Sequence, residues 1–333
     1  MVFKKRSHVL VVVPVLALVL LSGCSGPVVR GPGVSPVPGS NKAVVLARKF
    51  SVGDKATYVA TTESSRAVEF EGTISQEADL KGGVARTKVE LTFTEQIESV
   101  GDAGIAKAKI TILKAKYLRE LAKRGIVADY DSSKGNGGPL AKLVGQSYRI
   151  EMTPSGEVTK VLDAEAGRSA VRRSKIAVGL LKTSVIKERH SIAALPAAGK
   201  NLRRIGDNWS NVKSTDFGMM GKKAYERIYV LKELTKVDGR TVAVVEMNAI
   251  PTADSPNQAS GDAESPFTKM FDNIDKYTGL LKLDLTTGKV DEYFEKLKTQ
   301  WIVVDPMPTE KNKDKPDMLK MTGIMDQRLE RID

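Results

Sequence analysis

The sequence has very few of the side chains on which metal centres and enzyme nucleophiles depend. Its 333 residues include one cysteine and two histidines, and aromatic residues make up only 5%. A single cysteine forms no disulfide within the chain, and cysteine-based or multi-histidine metal sites are excluded. The motifs GxSxG, HExxH and GxxxxGKS/T do not occur. The sequence therefore favours a non-enzymatic protein and predicts no cofactor and no metal site.

The N-terminus is typical of a leader for export. Lys4, Lys5 and Arg6 precede an uncharged apolar run over residues 9–21. That run is shorter than the roughly 20 residues of a transmembrane helix, and it contains Pro14. Length, charge and position together predict a signal peptide over residues 1–23.

The end of the apolar run resembles the bacterial lipobox. Leu21, Ser22 and Gly23 stand directly before Cys24, the only cysteine in the chain. The resemblance implies cleavage between Gly23 and Cys24, diacylglycerol on the Cys24 thiol and acylation of the new amine. The residue after the cysteine is Ser25 rather than aspartate, which in Gram-negative lipoproteins implies an outer-membrane location facing the periplasm. The alternative is an ordinary secretory signal with an incidental cysteine.

Residues 24–41 predict a lipidated cysteine followed by a tether. The stretch is rich in proline and glycine, nearly uncharged and without apolar periodicity. Two or three acyl chains make a stable membrane anchor, whereas one chain binds only marginally. At about 3 Å per residue, the tether would hold the folded body up to roughly 50 Å from the bilayer.

The charge balance points to an anionic partner or to a solvated surface. The net charge is +12, and it falls to about +9 when the three cations of the leader are removed. Export, and the lack of aromatic residues among the basic ones, argue against nucleic acid. Phospholipid head groups, lipopolysaccharide phosphate and cell-wall polymer remain as anionic partners.

Two stretches of the body, residues 42–162 and 200–304, have the alternating pattern of β-strands. In the first stretch, hairpins are predicted around the turns at residues 101–104 and 153–156. In the second, they are predicted around Asp238-Gly239 and residues 286–288.

The two stretches also repeat the same order of signals. Gly53-Asp54 opens the first, Gly206-Asp207 opens the second, and each is followed by two hairpins. We predict a mainly β (α+β) protein with two related antiparallel meander halves, forming one curved sheet or a clasp around a groove. The alternative is that glycine turns recur at such intervals in any antiparallel protein.

Residues 163–199 switch to helical periodicity and are predicted to connect the halves. Val171, Val178, Leu181 and Val185 fall on one face. One interpretation is a basic amphipathic element that touches anionic lipid head groups. The other is a connector packed on the sheet with a solvated outer face. The candidate lipid contacts are Arg168, Arg172, Arg173, Lys175 and Lys182.

Residues 305–333 are predicted as a charged tail with a short helix, because Met318, Met321, Met325 and Leu329 recur at helical spacing. Residues 254–265 are polar and are predicted as a loop.

Three other features are weak candidates for sites. Residues 129–136 match a calcium-binding EF-hand loop poorly, since the glycine comes one place late. His190 is the only histidine left after the leader for a catalytic triad. Trp209 and Trp301 are candidates to line a lipophilic cavity or simply to fill a core.

The whole pattern resembles uncharacterised, duplicated β-rich lipoproteins of the bacterial envelope. A curved sheet with helices is also similar to periplasmic lipoprotein carriers, which hold acyl chains in a concave sheet. Three hypotheses follow: a non-enzymatic binding module for a lipophilic ligand or an envelope protein, a structural or assembly lipoprotein, and a hydrolase that uses paired carboxylates. A large apolar cavity favours the first, a filled core the second, and two inward carboxylates in a cleft the third.

Overall fold

The computed structural model describes residues 35–36, 42–72, 82–135, 137–252, 271–305 and 317–333. The signal peptide, Cys24, nearly all of the tether and the loop predicted over residues 254–265 lie outside these residues.

Fifteen strands and three α-helices are present in the described residues. The strands are β1 Ser35–Pro36, β2 Val44–Val45, β3 Lys55–Glu71, β4 Gly83–Val100, β5 Ala106–Leu121, β6 Gly125–Asp131, β7 Ser147–Met152, β8 Val158–Leu162, β9 Leu202–Arg203, β10 Asn208–Asp216, β11 Lys222–Val237, β12 Arg240–Thr252, β13 Asp272–Asp284, β14 Val290–Val304 and β15 Met318–Arg331. The helices are α1 Ala164–Ala170, α2 Lys175–Leu180 and α3 Thr183–His190, and short 3₁₀ helices cover Asp102–Gly104, Gly138–Leu143 and Gly218–Met220.

The strands follow from the period-two pattern of the sequence. Along β5, Ala106, Ala108, Ile110 and Ile112 are buried, and the residues between them are more exposed. Successive side chains of a strand point to opposite faces, so this alternation buries one face and leaves the other in water. All four predicted hairpins are present, as β4–β5, β7–β8, β11–β12 and β13–β14.

One antiparallel sheet of 13 strands contains both halves. Its order is β1-β11-β12-β13-β14-β15-β3-β4-β5-β7-β8, with β10 paired to β11 and β6 paired to β5. A separate pair joins β2 to β9. The mainly β prediction with two meander halves is confirmed, and the halves share one open sheet.

The two halves are built alike at the residue level. Gly53 and Gly206 have φ angles of +90° and +92°, a conformation that favours glycine. Gly53 N–H donates to the Ile97 carbonyl at 2.9 Å, and Gly206 N–H donates to the Leu231 carbonyl at 2.8 Å. The meander β3-β4-β5-β7-β8 of the first half thus corresponds strand by strand to β10-β11-β12-β13-β14 of the second.

The segment between the halves, residues 163–199, is the connector. Its predicted helical character is present as three short helices rather than one. Ser174 caps α2 by accepting a hydrogen bond from Ala177 N–H at 3.1 Å, so the chain restarts a helix there. The helical part ends at His190, before Pro196.

The connector shows how strongly the sheet is curved. Ser191 Oγ accepts a hydrogen bond from Val158 N–H of β8 at 3.2 Å, and the Ala193 carbonyl accepts one from Asn211 Nδ2 of β10 at 2.9 Å. In a flat sheet, β8 and β10 would lie about 48 Å apart, at roughly 4.8 Å per strand. The sheet therefore bends round the connector, which lies against its inner face.

The short helix predicted in the tail is wrong, because residues 318–331 form strand β15. This strand pairs with β14 on one side and with β3 on the other. Its odd-numbered residues, including Met321, Met325 and Leu329, share the inner face. Hydrogen bonding to two long neighbours decides the structure, and the methionine spacing alone did not distinguish a helix from a strand.

Candidate functional site

The inner face near the middle of the sheet carries the polar groups of the candidate site. On β14, Tyr293, Glu295 and Leu297 are buried, while the alternating Lys296 and Lys298 are exposed. Strand alternation thus places a carboxylate in the core-facing row. Glu295 lies directly opposite Gln327 of β15, at the seam between the halves.

A cavity of about 460 Å³ lies between this inner face, helices α2 and α3, and the end of β10. We call it the junction cavity. Its volume is in the range of small-molecule sites. Its apolar lining includes Ala60, Val89, Leu91, Leu180, Leu297 and Met325, and its polar lining includes Thr62, Ser64, Glu188, Arg189, Lys213 and Glu295.

A second cavity of about 260 Å³ adjoins the first on the side of β10 and β11. Both are lined by Glu188, Lys213, Glu295 and Gln327. These four residues therefore form a polar boundary between a larger, partly apolar space and a smaller one.

Glu295 is the centre of a buried hydrogen-bond network. Its carboxylate accepts from Arg227 Nη1 at 2.8 Å and from the Tyr277 hydroxyl at 2.6 Å, and it also accepts from the Tyr293 hydroxyl. Lys213 Nζ lies 3.6 Å away. Burial opposes ionisation, but Arg227 and Lys213 with the two phenols outweigh it and keep the pKa of Glu295 below its usual range.

The same network affects its tyrosines. Burial, and then the negative charge of Glu295, raise the pKa values of Tyr277 and Tyr293 well above the usual range. Glu295 is thus held as a carboxylate, and the phenols are held as neutral donors. In these protonation states, the carboxylate and the phenols hold one another in a fixed hydrogen-bonded arrangement.

A second cluster of buried polar side chains lies in the first half of the sheet, where it meets the connector. Arg48 Nη2 pairs with Glu95 Oε1 at 2.5 Å, with both side chains buried. The Tyr148 hydroxyl and His190 Nε2 are 2.8 Å apart, and the His190 ring packs edge-on against Phe93. Burial, followed by the charges of Arg189 and Arg48, lowers the pKa of His190 well below its usual value, so the ring is neutral.

Arg189 contacts Tyr148 of this polar cluster and also lines the junction cavity. Its Nη2 donates to the Leu180 carbonyl at 2.8 Å, and its Nη1 lies 3.4 Å from the Tyr148 hydroxyl. The side chain is 8% exposed. Among the residues that the structure describes, none places a carboxylate within 4.0 Å of this guanidinium.

The candidate lipid contacts on the connector are in two different situations. Arg168 is half-buried, pairs with Glu165 at 2.7 Å and donates to the Leu181 carbonyl at 2.9 Å. The other four, Arg172, Arg173, Lys175 and Lys182, are exposed. Gly23 and Cys24, the cleavage and lipidation residues, lie outside the described residues.

The other candidates from the sequence, the loop at residues 129–136, the two tryptophans and His190, make contacts within the fold. Asp131 accepts hydrogen bonds from the Ser133 N–H and hydroxyl, as in a local turn. Trp209 donates to the Ala194 carbonyl and stacks on Tyr229, and Trp301 packs on Phe217; neither tryptophan lines the junction cavity. His190 forms a hydrogen bond with Tyr148 and packs against Phe93.

The sequence reasoning missed Glu295, Arg227, Lys213 and Arg189 as a group. One signal was present: within the alternating strand 290–304, Glu295 occupies the same phase as Tyr293 and Leu297. A charged residue in the apolar phase of a strand indicates a buried, paired charge. Its partners lie on other strands, and nothing in one sequence specifies them.

The described residues contain neither a clustered metal-binding group nor a membrane-spanning helix. No group of three or more histidine, cysteine, aspartate or glutamate side chains is placed to hold a metal ion in those residues. Nor do they include a helix with the length and apolarity needed to cross a membrane.

Comparisons with known proteins give only distant likenesses. No protein-family model matches the chain, and no curated protein matches it significantly. A solved structure on lipid–protein interactions in lipovitellin is similar with 10% identity and a TM-score of 0.36, covering 86% of this chain and 26% of that chain. The structure of DynF, from the dynemicin biosynthesis pathway of Micromonospora chersina, has 9% identity and a TM-score of 0.19, covering 93% of this chain and 94% of that one. The chain thus spans about a quarter of the lipovitellin chain, and no family is assigned to it.

Proposed function

We propose that this chain is a lipid-anchored binding protein of a bacterial cell envelope that holds one lipophilic molecule in the junction cavity. The observation that supports the proposal is the cavity itself, an open-sided space lined by the inner face of the sheet and by the connector. Ala60, Leu91 and Leu297 provide apolar surface, and Glu188 and Lys213 provide a polar end. A site with this division fits an amphipathic ligand, with its chain on the apolar side and its head group on the polar side.

The anchor is proposed from the sequence. Cleavage before Cys24 and acylation of that cysteine would tie the body to the membrane through the tether of residues 24–41, and Ser25 favours the outer membrane facing the periplasm. The exposed cations Arg172, Arg173 and Lys175 are proposed to contact anionic lipid head groups, together with Lys182.

Native mass spectrometry tests the ligand. The chain from Ser25 to Asp333 is expressed in the periplasm, its mass is measured under native conditions, and bound material is then extracted with solvent. We expect one lipophilic molecule per chain. A mass without ligand would overturn tight binding and direct the search to a structural or assembly role with a protein partner.

A matched pair of variants locates the ligand. Ser64 lines the junction cavity and is exposed within it, whereas Ser65 points to the opposite face of the same strand. Ser64→Trp is expected to fill part of the cavity and to displace the ligand, and Ser65→Trp is expected to retain it. Equal retention by both variants would place the ligand elsewhere.

The anchor has its own test. The full chain is expected to partition with membranes and to carry the mass of attached lipid. A Cys24→Ala chain exported behind a secretory leader with its own cleavage site, so that the apolar run of residues 9–21 is still removed, is expected in the soluble fraction. Membrane association of Cys24→Ala equal to that of the unaltered chain would exclude Cys24 as the anchor.

A further inference from the structure

Arg189 is a buried cation for which the described residues provide no acidic partner. Buried charges in proteins are normally paired, because an unpaired one loses its hydration without compensation. The other buried cations near the cavity follow this rule: Arg48 pairs with Glu95, and Arg227 pairs with Glu295.

The guanidinium of Arg189 also has unused hydrogen-bonding capacity. An arginine has five N–H donors. Those of Arg189 meet two acceptors, the Leu180 carbonyl at 2.8 Å and the Tyr148 hydroxyl at the long distance of 3.4 Å. Its anchoring to the connector backbone fixes the position of the group at the wall of the junction cavity.

The neighbouring charges do not neutralise Arg189. Glu95 is held by Arg48, Tyr148 is a neutral phenol, and His190 is neutral. Glu188 is next in sequence, but its side chain is 63% exposed and lies 3.5 Å from Lys213.

Of the other carboxylates along the cavity, Glu63 is paired with Arg86 and Glu295 with Arg227. Asp216 is exposed, and Asp326 lies on the opposite face of its strand from Met325, so none of these groups is paired with Arg189.

From this geometry we infer that the junction cavity takes an amphiphile with a carboxylate head group, and that Arg189 binds that carboxylate. The planar guanidinium suits two parallel hydrogen bonds to carboxylate oxygens. The alkyl chain of such a fatty acid would lie along Leu91, Leu297 and Met325. This inference rests on the proposed binding function and specifies its ligand class.

Three probes with the same alkyl chain test the inference by isothermal titration calorimetry on the Ser25–Asp333 chain. They are dodecanoate, which is anionic, monododecanoylglycerol, which is neutral, and dodecylamine, which is cationic. We expect dodecanoate to bind at least about tenfold more tightly than dodecylamine, since only the carboxylate completes the Arg189 pair.

Variants of Arg189 identify the contact. Arg189→Met is expected to weaken dodecanoate binding about tenfold or more and to leave monododecanoylglycerol binding within about threefold, which also shows that the cavity is intact. Arg189→Lys keeps the charge without the fork and is expected to give an intermediate loss for dodecanoate, which keeps the test decisive if Arg189→Met fails to fold. Arg203→Met is the matched control, because Arg203 is half-buried over Trp209 and does not line the cavity.

The outcomes separate the inference from the proposed function. If dodecanoate and dodecylamine bind equally well, or if neither Arg189 variant weakens dodecanoate more than Arg203→Met does, the carboxylate assignment is overturned while the binding function stands. If none of the three probes binds to the unaltered chain, both are overturned.

Discussion

The two halves of the sheet share a backbone plan but carry different side chains at several equivalent positions of the inner face. Superposing the Gly53-Asp54 and Gly206-Asp207 turns, and following the register of the paired strands, makes Tyr58 and Phe93 of the first half equivalent to Asn211 and Arg227 of the second. The aromatic pair of the first half packs together and against His190. The polar pair of the second half is joined by a hydrogen bond of 2.8 Å between Arg227 Nε and Asn211 Oδ1.

The same register makes Ala60 equivalent to Lys213, and both line the junction cavity. At this pair of positions, one backbone plan thus supplies a methyl group from one half and an ammonium group from the other. The difference between the halves places both apolar and charged side chains around the cavity.

The largest expected effect comes from removing the charge at the centre of the polar half. Glu295→Gln leaves Arg227 buried without its carboxylate, and we expect a loss of about 3 kcal/mol in the free energy of unfolding in urea. Glu292→Gln is the control on the same strand, where the residue is paired at 2.9 Å with the half-exposed Lys282 and should cost less than about 1 kcal/mol. Similar losses for both variants would contradict the assignment of Glu295 as the anchor of the network.

The next effect tests whether the first half tolerates, at Ala60, the lysine that the second half has at the equivalent position 213. Ala60→Lys places an ammonium group between the cross-strand neighbours Leu91 and Leu329. We expect a loss of about 2–3 kcal/mol in thermal or urea unfolding, because the charge would be buried at a position flanked by two leucines. Thr61→Lys points to the other face and should stay within about 0.5 kcal/mol of the parent. An Ala60→Lys protein as stable as Thr61→Lys would show that position 60 accepts a lysine as readily as position 213 does.

A pH effect is expected where the connector meets the first half. The pKa of His190 is lowered in the folded state, so as the pH falls through about 6.5 the unfolded chain takes up its proton first and stability is lost. Near pH 5 we expect His190 to cost about 1–2 kcal/mol relative to neutral pH. His190→Gln should remove this component of the pH dependence when urea unfolding is compared between pH 7 and pH 5. An unchanged difference between the two pH values would assign the acid sensitivity to other groups.

The smallest effect concerns what the halves have in common. Gly53→Ala and Gly206→Ala each place a side chain at a φ near +90°, with no atom crowding the new Cβ. We expect nearly equal losses of about 1–2 kcal/mol, from backbone strain alone. Gly179→Ala is the control: its φ is not positive and its Cβ would meet open space, so a helix there should gain about 0.5 kcal/mol. Clearly unequal losses at the two turns would break their equivalence.

The repeated meanders were predictable because their signals are local. Adjacent residues specify a turn such as Asp238-Gly239, where φ is +49° at Asp238 and +77° at Gly239. Adjacent residues also specify the alternating pattern of the strands on either side. The role of β15 was not predictable in this way. Met321, Met325 and Leu329 fit one face of a helix as well as one face of a strand, and pairing with β3, far away in sequence, decides between them.

The candidate site was less predictable than the fold for the same reason. Glu295 is recognisable as a charge in an apolar phase, but Arg227 and Tyr277 reach it from two other strands. Arg189 stands out only when the partners of every buried charge are known. In the sequence, the paired Arg168 and the exposed Arg172 of the connector look alike, and only their contacts in the structure separate them.

The position of β15 also sets an order of events in time. Each meander has hairpins that close over short loops, and such contacts form quickly. The seam between the halves requires β15 to enter between β14 and β3, and β15 follows every other described strand in the chain. One edge of β3 pairs with β4, but its other edge therefore stays open until residues some 250 positions later have been synthesised. A chain that emerges N-terminus first would hold two finished meanders and an open gap between them until β15 arrives, so the junction cavity is completed only in the final step of folding.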